Sequence, residues 1–303
     1  MLIVGNGFSQ KVEQAIERLK MFEPDEGYFV AFSGGKDSQC VYHLCEMAGV
    51  KFDAHYNVSS VDPPELVRFI REKYQSVNME IPHNKDGRPI TMWNLIPKHL
   101  IPPTRHVRYC CEHLKEKAGE SRVTVTGVRW EESANRANNH DVVTFTKPTT
   151  KLKKTLEENN ADFRQTGKGI VMNTDNDESR RMVEQCYRTN KTLMNPIIDW
   201  SEADVWRFLL DVANVESCGL YAEGFQRIGC IGCPLANGKQ RAIELARWPK
   251  YKALYLNAFD RMLAERANKG KETDWQSAQD VFDWWIGIDV IPGQMRMDDF
   301  FGT

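Results

Sequence analysis

The chain has 303 residues, 41% of them hydrophobic and 27% charged, with a formal net charge of -2. That balance fits a globular protein with enough chain for one large or two smaller cores; it excludes a disordered chain and gives no overall positive charge of the kind that gathers nucleic acid. There is no apolar run of about 18 residues, and the opening "MLIVGNGFSQ" has no basic leader, so the expectation is a cytoplasmic protein without a membrane span or signal peptide, whose eight cysteines serve metal or redox chemistry rather than disulfides.

In chain order, "QKVEQAIERLKMF" places Val12, Ile16, Leu19 and Phe22 on one helical stripe. Tyr28 to Phe32 is a short apolar run bounded by glycines, the look of a buried parallel strand. A helix follows from Asp37 to a C-cap at Gly49; "VKFDAHYNVS" reads as a second strand, and the prolines of "PPELVRFIREKY" open another helix. This β-α-β-α order predicts a doubly wound α/β fold with a parallel sheet. "RVTVTGVRW" (122–130) reads as a further strand. "PIIDWSEADVWRFLL" reads as a strand end and then a helix capped by Ser201, with Asp204 completing the capping box. Residues 141–180, with the basic "KPTTKLKK" and the polar "NTDNDESRR", read as an excursion holding a hairpin or mobile loop. The last hundred residues read as mainly helical. The expected division is an α/β domain over 1–210 and a cysteine-containing helical region over 211–303.

"FSGGKDSQC" (32–40) joins the first strand to its helix. Unpaired amides at a helix N-terminus, together with the helix dipole, make an anion site. Gly34 and Gly35 let the backbone approach a ligand, Lys36 can neutralise phosphate charge, and Ser33 and Ser38 can donate hydroxyl hydrogen bonds. The spacing is not the G-x-x-x-x-G-K-S/T of ordinary P-loops. "SGGKDS" resembles the PP-loop of the ATP-pyrophosphatase (adenine nucleotide alpha hydrolase) superfamily. Three more strings are similar to its phosphoadenosine-phosphosulfate (PAPS) reductase branch: "GVRWEESANR" (127–136), "NPIIDWSEADVWRFL" (195–209) and "GLYAEGFQRIGCIGCPLA" (219–236). The resemblance implies an adenine nucleotide alpha hydrolase-like fold binding ATP or a sulfonucleotide. It implies ligand contacts at Ser33, Gly34, Gly35, Lys36, Asp37, Ser38, Arg129 and Arg136, with Lys36, Asp37 and Arg129 as the catalytic groups and Mg2+ as companion ion. Arginine forks suit phosphate or sulfate; an ion pair of Arg129 with Glu131 or Glu132 is the plainer alternative.

Cys110 and Cys111 are adjacent, and Cys230 and Cys233 form C-x-x-C. Two such pairs suit a tetrahedral zinc or an iron–sulfur cluster, and spacing does not choose between them. The resemblance favours a 4Fe–4S cluster. His106 and His113 flank the first pair and can hydrogen-bond a thiolate or phosphate or be surface histidines; Arg105, Arg108, Lys115 and Lys117 can stabilise thiolates or anions, but Glu112, Glu116 and Glu120 partly cancel them, and a solvated helix face is an equally good account. Cys218 is a candidate substrate thiol or a buried one; Cys40 and Cys45 read as packed; Cys186 has no assignment. "KPTTKLKK" can track a nucleic-acid backbone or be a solvated face, and Trp284 and Trp285 fit a core better than base stacking.

Sulfonucleotide reductases carry a catalytic cysteine in an "ECG-(L/I)-H" segment, and no cysteine follows Cys233 here. The chain is therefore read as similar to the sulfurtransferases of DNA phosphorothioation systems. These would bind ATP, release pyrophosphate and pass sulfur to an acceptor such as nucleic acid from a donor such as a cysteine desulfurase. An unusual sulfonucleotide reductase, or a nucleotide-binding module without chemistry of its own, are the alternatives.

Overall fold

A computed structural model describes residues 6–116, 119, 122–146, 148–158, 161–172 and 191–287. The chain forms two compact units whose segments interleave in sequence: 1–56, 65–80 and 118–228 in the first, and 57–64, 81–117 and 229–303 in the second. The 1–210 and 211–303 division describes consecutive segments, whereas the second unit also draws residues 57–64 and 81–117 out of the first half.

The first unit is built on an eight-stranded sheet of order β3-β2-β1-β4-β8-β5-β7-β6. Its strands are β1 (Tyr28–Ala31), β2 (Phe52–Asn57), β3 (Asn78–Glu80), β4 (Val123–Val125), β5 (Val143–Thr146), β6 (Phe163–Thr166), β7 (Gly169–Met172) and β8 (Lys191–Met194). β2, β1, β4 and β8 run parallel. Tyr28, Val30, Val123 and Val125 are fully buried, as a strand covered on both faces requires. Helix α1 (Asn6–Met21) carries Leu19, also fully buried, and the Arg18 guanidinium reaches Asp199 at 2.8 Å and the Pro196 carbonyl at 3.1 Å. α2 (Lys36–Ala48) ends at Gly49, whose φ of 67° supplies the left-handed cap expected of it. α3 (Pro64–Lys73) buries Leu66 and Ile70.

Two features refine the expected parallel sheet. Beyond β8 the sheet turns antiparallel: β5 pairs with β8 and with β7, and β6 with β7 form the hairpin expected in the 141–180 excursion. The excursion thus completes the main sheet, because Val143, Phe145, Ile170 and Val171 supply apolar faces that must be covered. "NTDNDESRR" and Cys186 lie outside the described residues. The strand expected over 122–130 stops at Val125, and 126–129 is a connecting turn. β8 likewise ends before Pro196, and Ser201 and Asp204 form the expected capping box on α8 (Glu202–Arg207). From β1 the chain steps to β2 on one side; β4 then joins on the other. The carboxyl ends of β1 and β4 therefore form a topological switch point, where sheets of this class bind ligands.

The second unit is helical among its described residues: α4 (Met92–His99), α5 (Tyr109–Cys111, continuing as a wider turn over Glu112–Glu116), α9 (Gly238–Arg247), α10 (Pro249–Asn268) and α11 (Ala278–Ile286). The helical stretch breaks at Trp248, and Pro249 restarts it as the first residue of α10. Its core is aromatic. Tyr255 meets Trp93 at 5.1 Å and Trp285 at 4.6 Å between ring centres, so Trp285 is core as expected. No helix among the described residues is long and apolar enough to cross a membrane.

Candidate active site

In the first unit, the turn from β1 to α2 is shaped by two glycines held for different reasons. Gly34 has φ 71°, and a Cβ there would lie 2.7 Å from Ile70 Cδ1. The fold itself demands glycine at this position. Gly35 has φ -79° and caps α2 without a side-chain bond; a Cβ there would make only ordinary contacts, 3.5 Å from Ser33 Oγ and from Tyr221 Oη. Nothing in the packing forbids a side chain at Gly35, but it would project over the helix N-terminus.

The turn is braced from within. The Ser33 hydroxyl and backbone amide both donate to Ser38 Oγ at 3.1 Å, and Ser38 Oγ donates to the Gly35 carbonyl at 2.9 Å. The serine hydrogens are thus committed to loop geometry, and Ser38 is 5% exposed. A third glycine brings the neighbouring strand in. A Cβ on Gly127 would fall 2.8 Å from the Asp37 backbone, so only glycine lets the turn after β4 press against the first turn of α2.

That contact assembles the charged groups. Lys36 is 6% exposed; its Nζ donates to the Gln226 carbonyl at 3.2 Å and lies 3.5 Å from Glu202 and 3.8 Å from Asp37. Arg129 is 3% exposed and donates through Nε to Asp37 at 2.7 Å, and through Nη1 to Glu131 at 2.8 Å and the Trp200 carbonyl at 3.2 Å. The ion pair with Glu131 weighed from the sequence is present, alongside a tighter tie to Asp37. Arg136 pairs with Glu132. Burial, reinforced by the neighbouring Arg227 guanidinium, makes Arg136 less basic than usual. Ser33, Gly34, Gly35, Lys36, Asp37, Ser38, Arg129 and Arg136 therefore share one neighbourhood at the switch point. Four cations (Lys36, Arg129, Arg136 and Arg227) stand among four carboxylates (Asp37, Glu131, Glu132 and Glu202). Such a set can bind an anionic ligand with little net rearrangement of charge.

Tyr221, Arg227 and Glu202 were not singled out from sequence. Tyr221 Oη accepts the Lys36 backbone N–H at 2.9 Å, and its ring sits edge-on to Trp206 at 5.0 Å. Tyr221 and Arg227 lie within "GLYAEGFQRIGCIGC", the same stretch as the C-x-x-C pair.

In the second unit, the two cysteine pairs come within electrostatic reach of one another. The hydrogen bond that the Cys110 thiol donates to Cys111 is the largest influence pushing Cys110 up; burial and the charges of Cys111, Cys230 and Cys233 add to it. Burial and Cys230 raise Cys233, while Lys115 opposes them; the charge of Cys230 in turn makes Lys115 more basic. The C-x-x-C turn is firmly seated. The Ile231 N–H donates to the Val61 carbonyl at 2.7 Å, Tyr255 Oη donates to the Ile231 carbonyl at 2.9 Å, and the Gly232 N–H donates to Glu244 at 2.9 Å. Gly232 has φ 72°, and a Cβ there would meet Trp285 at 2.9 Å. Among the described residues, no group of three or more His, Cys, Asp or Glu side chains is positioned to hold a single metal ion. The donor chemistry nonetheless fits a soft metal centre, since four thiols share one neighbourhood and two of them, Cys110 and Cys233, are pushed toward the protonated form.

Cys218, in the first unit, is 2% exposed and raised by burial. Cys40 and Cys45 are fully buried and likewise raised, so they are packing residues, as read from sequence. In the basic stretch, Lys153 and Lys154 pair with Glu157 and Glu158 at 3.9 and 3.6 Å along α7 (Thr150–Glu158), as a solvated helix face does.

Comparison with known proteins joins these observations. An adenosine 5'-phosphosulfate reductase of Neisseria meningitidis is 46% identical over 56 residues, covering 18% of this chain and 22% of the reductase. An uncharacterized protein of Methanocaldococcus jannaschii is 26% identical over 253 residues, covering 80% of this chain and 43% of its own length. The chain thus spans less than half of these curated relatives. The PAPS reductase of Candida auris, solved as a phosphate complex, is 12% identical with a TM-score of 0.42, covering 76% of this chain and 97% of that one. The family model for the phosphoadenosine phosphosulfate reductase domain matches residues 27–236, which takes in the glycine loop, the turn after β4 and the C-x-x-C segment, and the chain belongs to that family.

Proposed function

We propose that this protein is a PP-loop enzyme that binds ATP at the β1–α2 turn, releases pyrophosphate and supports sulfur transfer to an acceptor. The observation that carries the reading is Gly35. Its backbone tolerates a side chain, yet a side chain would cover the helix N-terminus, where a phosphate gains from amides and dipole. Family membership supplies the adenine-nucleotide context.

The chemistry follows from the groups around the turn. An acceptor oxygen attacks the α-phosphorus; the bond to the α–β bridging oxygen breaks, and its electron pair leaves with pyrophosphate. Lys36 and the α2 amides stabilise the charge growing on that leaving group. Asp37, 3.8 Å from Lys36, is the carboxylate that would accompany Mg2+ brought in by the nucleotide. Arg129 holds Asp37 in place through its 2.7 Å bond, and Arg136 with Arg227 offers further charge to the nucleotide. The terminal sulfur of a persulfide on a donor such as a cysteine desulfurase then attacks the activated acceptor and displaces AMP, and a thiol reductant cleaves the resulting disulfide, leaving the sulfur on the acceptor and returning the donor thiol. A nucleic acid is one acceptor class consistent with this sequence of steps.

Cys110, Cys111, Cys230 and Cys233 would hold a 4Fe–4S cluster, which when bound supplies soft-metal chemistry for holding sulfur. Lys115 offsets thiolate charge beside Cys230, and the bonds to Val61, Tyr255 and Glu244 keep the C-x-x-C turn in shape. Zinc is the runner-up occupant. A cytoplasmic, reducing setting suits free thiols.

The second reading is a sulfonucleotide reductase of unusual form, favoured by the family match and the Neisseria relative. One experiment separates the two. The protein is purified without oxygen, its iron, sulfide and zinc are measured, and it is incubated in turn with MgATP and with adenosine phosphosulfate. AMP and pyrophosphate from ATP, with about four irons per chain, support the proposal. Sulfite from the sulfonucleotide overturns it in favour of the reductase; zinc in place of iron overturns the cluster alone.

A further inference from the structure

Tyr221 occupies an unusual position for an aromatic residue. Its hydroxyl oxygen accepts the N–H of Lys36, the first residue of α2, at 2.9 Å, and it sits 3.5 Å from where a Gly35 Cβ would be. The phenol therefore overhangs the mouth of the glycine turn and takes up an amide of the kind a phosphate oxygen would otherwise meet. Among the described residues nothing accepts the hydrogen of the Tyr221 hydroxyl. Its ring is fixed by Trp206 at 5.0 Å and by the Lys36 ammonium at 5.8 Å from the ring centre. Backbone bonds hold the local turn: the Tyr221 N–H donates to the Cys218 carbonyl at 3.0 Å, and the Gly224 N–H donates to the Tyr221 carbonyl at 3.1 Å.

We propose that Tyr221 is a ligand-binding residue of the phosphate site, relaying the α2 N-terminal amide outward: it accepts the Lys36 N–H and donates its own O–H to a phosphoryl oxygen of the bound nucleotide. This rests on the reading of the β1–α2 turn as a phosphate site and adds a donor from a segment almost two hundred residues away in sequence. An O–H that already accepts a hydrogen bond is a stronger donor, and one aimed at a phosphate gains further from the ligand's charge. Solvent is a poor substitute, because the ring is clamped and loses little freedom on binding.

The alternative geometry has the opposite sign. If the phosphate needs the Lys36 N–H itself, the Tyr221 oxygen competes with the ligand and must be pushed aside. Tyr221→Phe separates the two, since it keeps the ring and its contact with Trp206 and removes only the hydroxyl. The measurement is the dissociation constant of α,β-methylene ATP with Mg2+ for the full chain by isothermal titration calorimetry, with thermal unfolding as the check on folding. A rise of about tenfold to a hundredfold in Y221F supports the relay. An unchanged or lower dissociation constant overturns it. Absence of binding by the wild-type chain overturns the phosphate-site reading and the relay with it, whereas wild-type binding with an indifferent Y221F overturns the relay alone.

Discussion

In the β1–α2 turn the polar groups are already spoken for. The Ser33 and Ser38 hydroxyls bond within the loop, Lys36 reaches a carbonyl and two carboxylates, and Arg129 is tied to Asp37, Glu131 and the Trp200 carbonyl. In the cysteine region only the backbone is settled. The turn amides and carbonyls around Ile231 and Gly232 have partners, while the Cys110 thiol is pushed up by its hydrogen bond with Cys111, by burial and by its neighbours, and burial and Cys230 raise Cys233 against Lys115. Under the proposed function, the first is a site for a ligand that comes and goes, so its charges must balance without it, and the second would become stable as thiolates only with a resident cationic centre.

Lys36→Ala offers the strongest way to break this comparison. Removing the buried ammonium leaves Glu202 and Asp37 facing an incoming phosphate. ATP turnover is expected to fall by about a hundredfold to a thousandfold or more while the fold persists, measured as pyrophosphate released. Retained turnover shows that the charge balance at the turn serves some other end.

Cys230→Ser tests the second half. Anaerobically purified wild type is expected to carry about four irons and the variant almost none, because a cluster short of one thiolate is poorly held. Circular dichroism of the two should coincide. Equal metal content would remove Cys230 from the ligand set.

The two loop glycines sharpen the contrast between what folding needs and what a ligand needs. Gly34→Ala forces an L-residue to φ 71° and against Ile70 and Leu66, and should cost about 1–3 kcal/mol in chemical denaturation. Gly35→Ala should shift stability by less than about 1 kcal/mol yet weaken nucleotide binding at least tenfold. A Gly35 variant with wild-type affinity would leave the glycine without a function.

The smallest expected effect concerns His140, which shows like-charge crowding in the first unit as well. Among the described residues its buried Nδ1 has no hydrogen-bond partner, and burial, with Lys168 and Arg136, lowers its pKa to about 4. A lowered folded-state pKa means the neutral ring is favoured on folding. Its contribution is present above the unfolded value near 6.5 and is lost as pH falls through 6.5 toward 4. Stability should drop by about 1–2 kcal/mol between pH 7 and pH 5 beyond that of a His140→Gln variant, read from urea midpoints. Parallel pH profiles of the two proteins would refute it.

The strand, turn and helix around Gly34 were legible because each depends on neighbours in sequence: a short apolar run, a left-handed glycine, a dipole-bearing helix start. Gly49 as a C-cap and Ser201 with Asp204 as a capping box were legible for the same reason. The antiparallel half of the sheet was not. Val143, Phe145 and Ile170 look like any short apolar run, and only exposed strand edges in the finished sheet tell them where to pair. Tyr221 illustrates the limit most directly. Its hydroxyl meets Lys36 across 185 positions of sequence, a distance over which no local propensity acts. Sequence alone determined which groups can carry charge, bend a backbone or bind a soft metal. Tertiary structure decided which of them meet, because Gly127 lets β4's turn close on α2 and thereby sets Arg129 against Asp37.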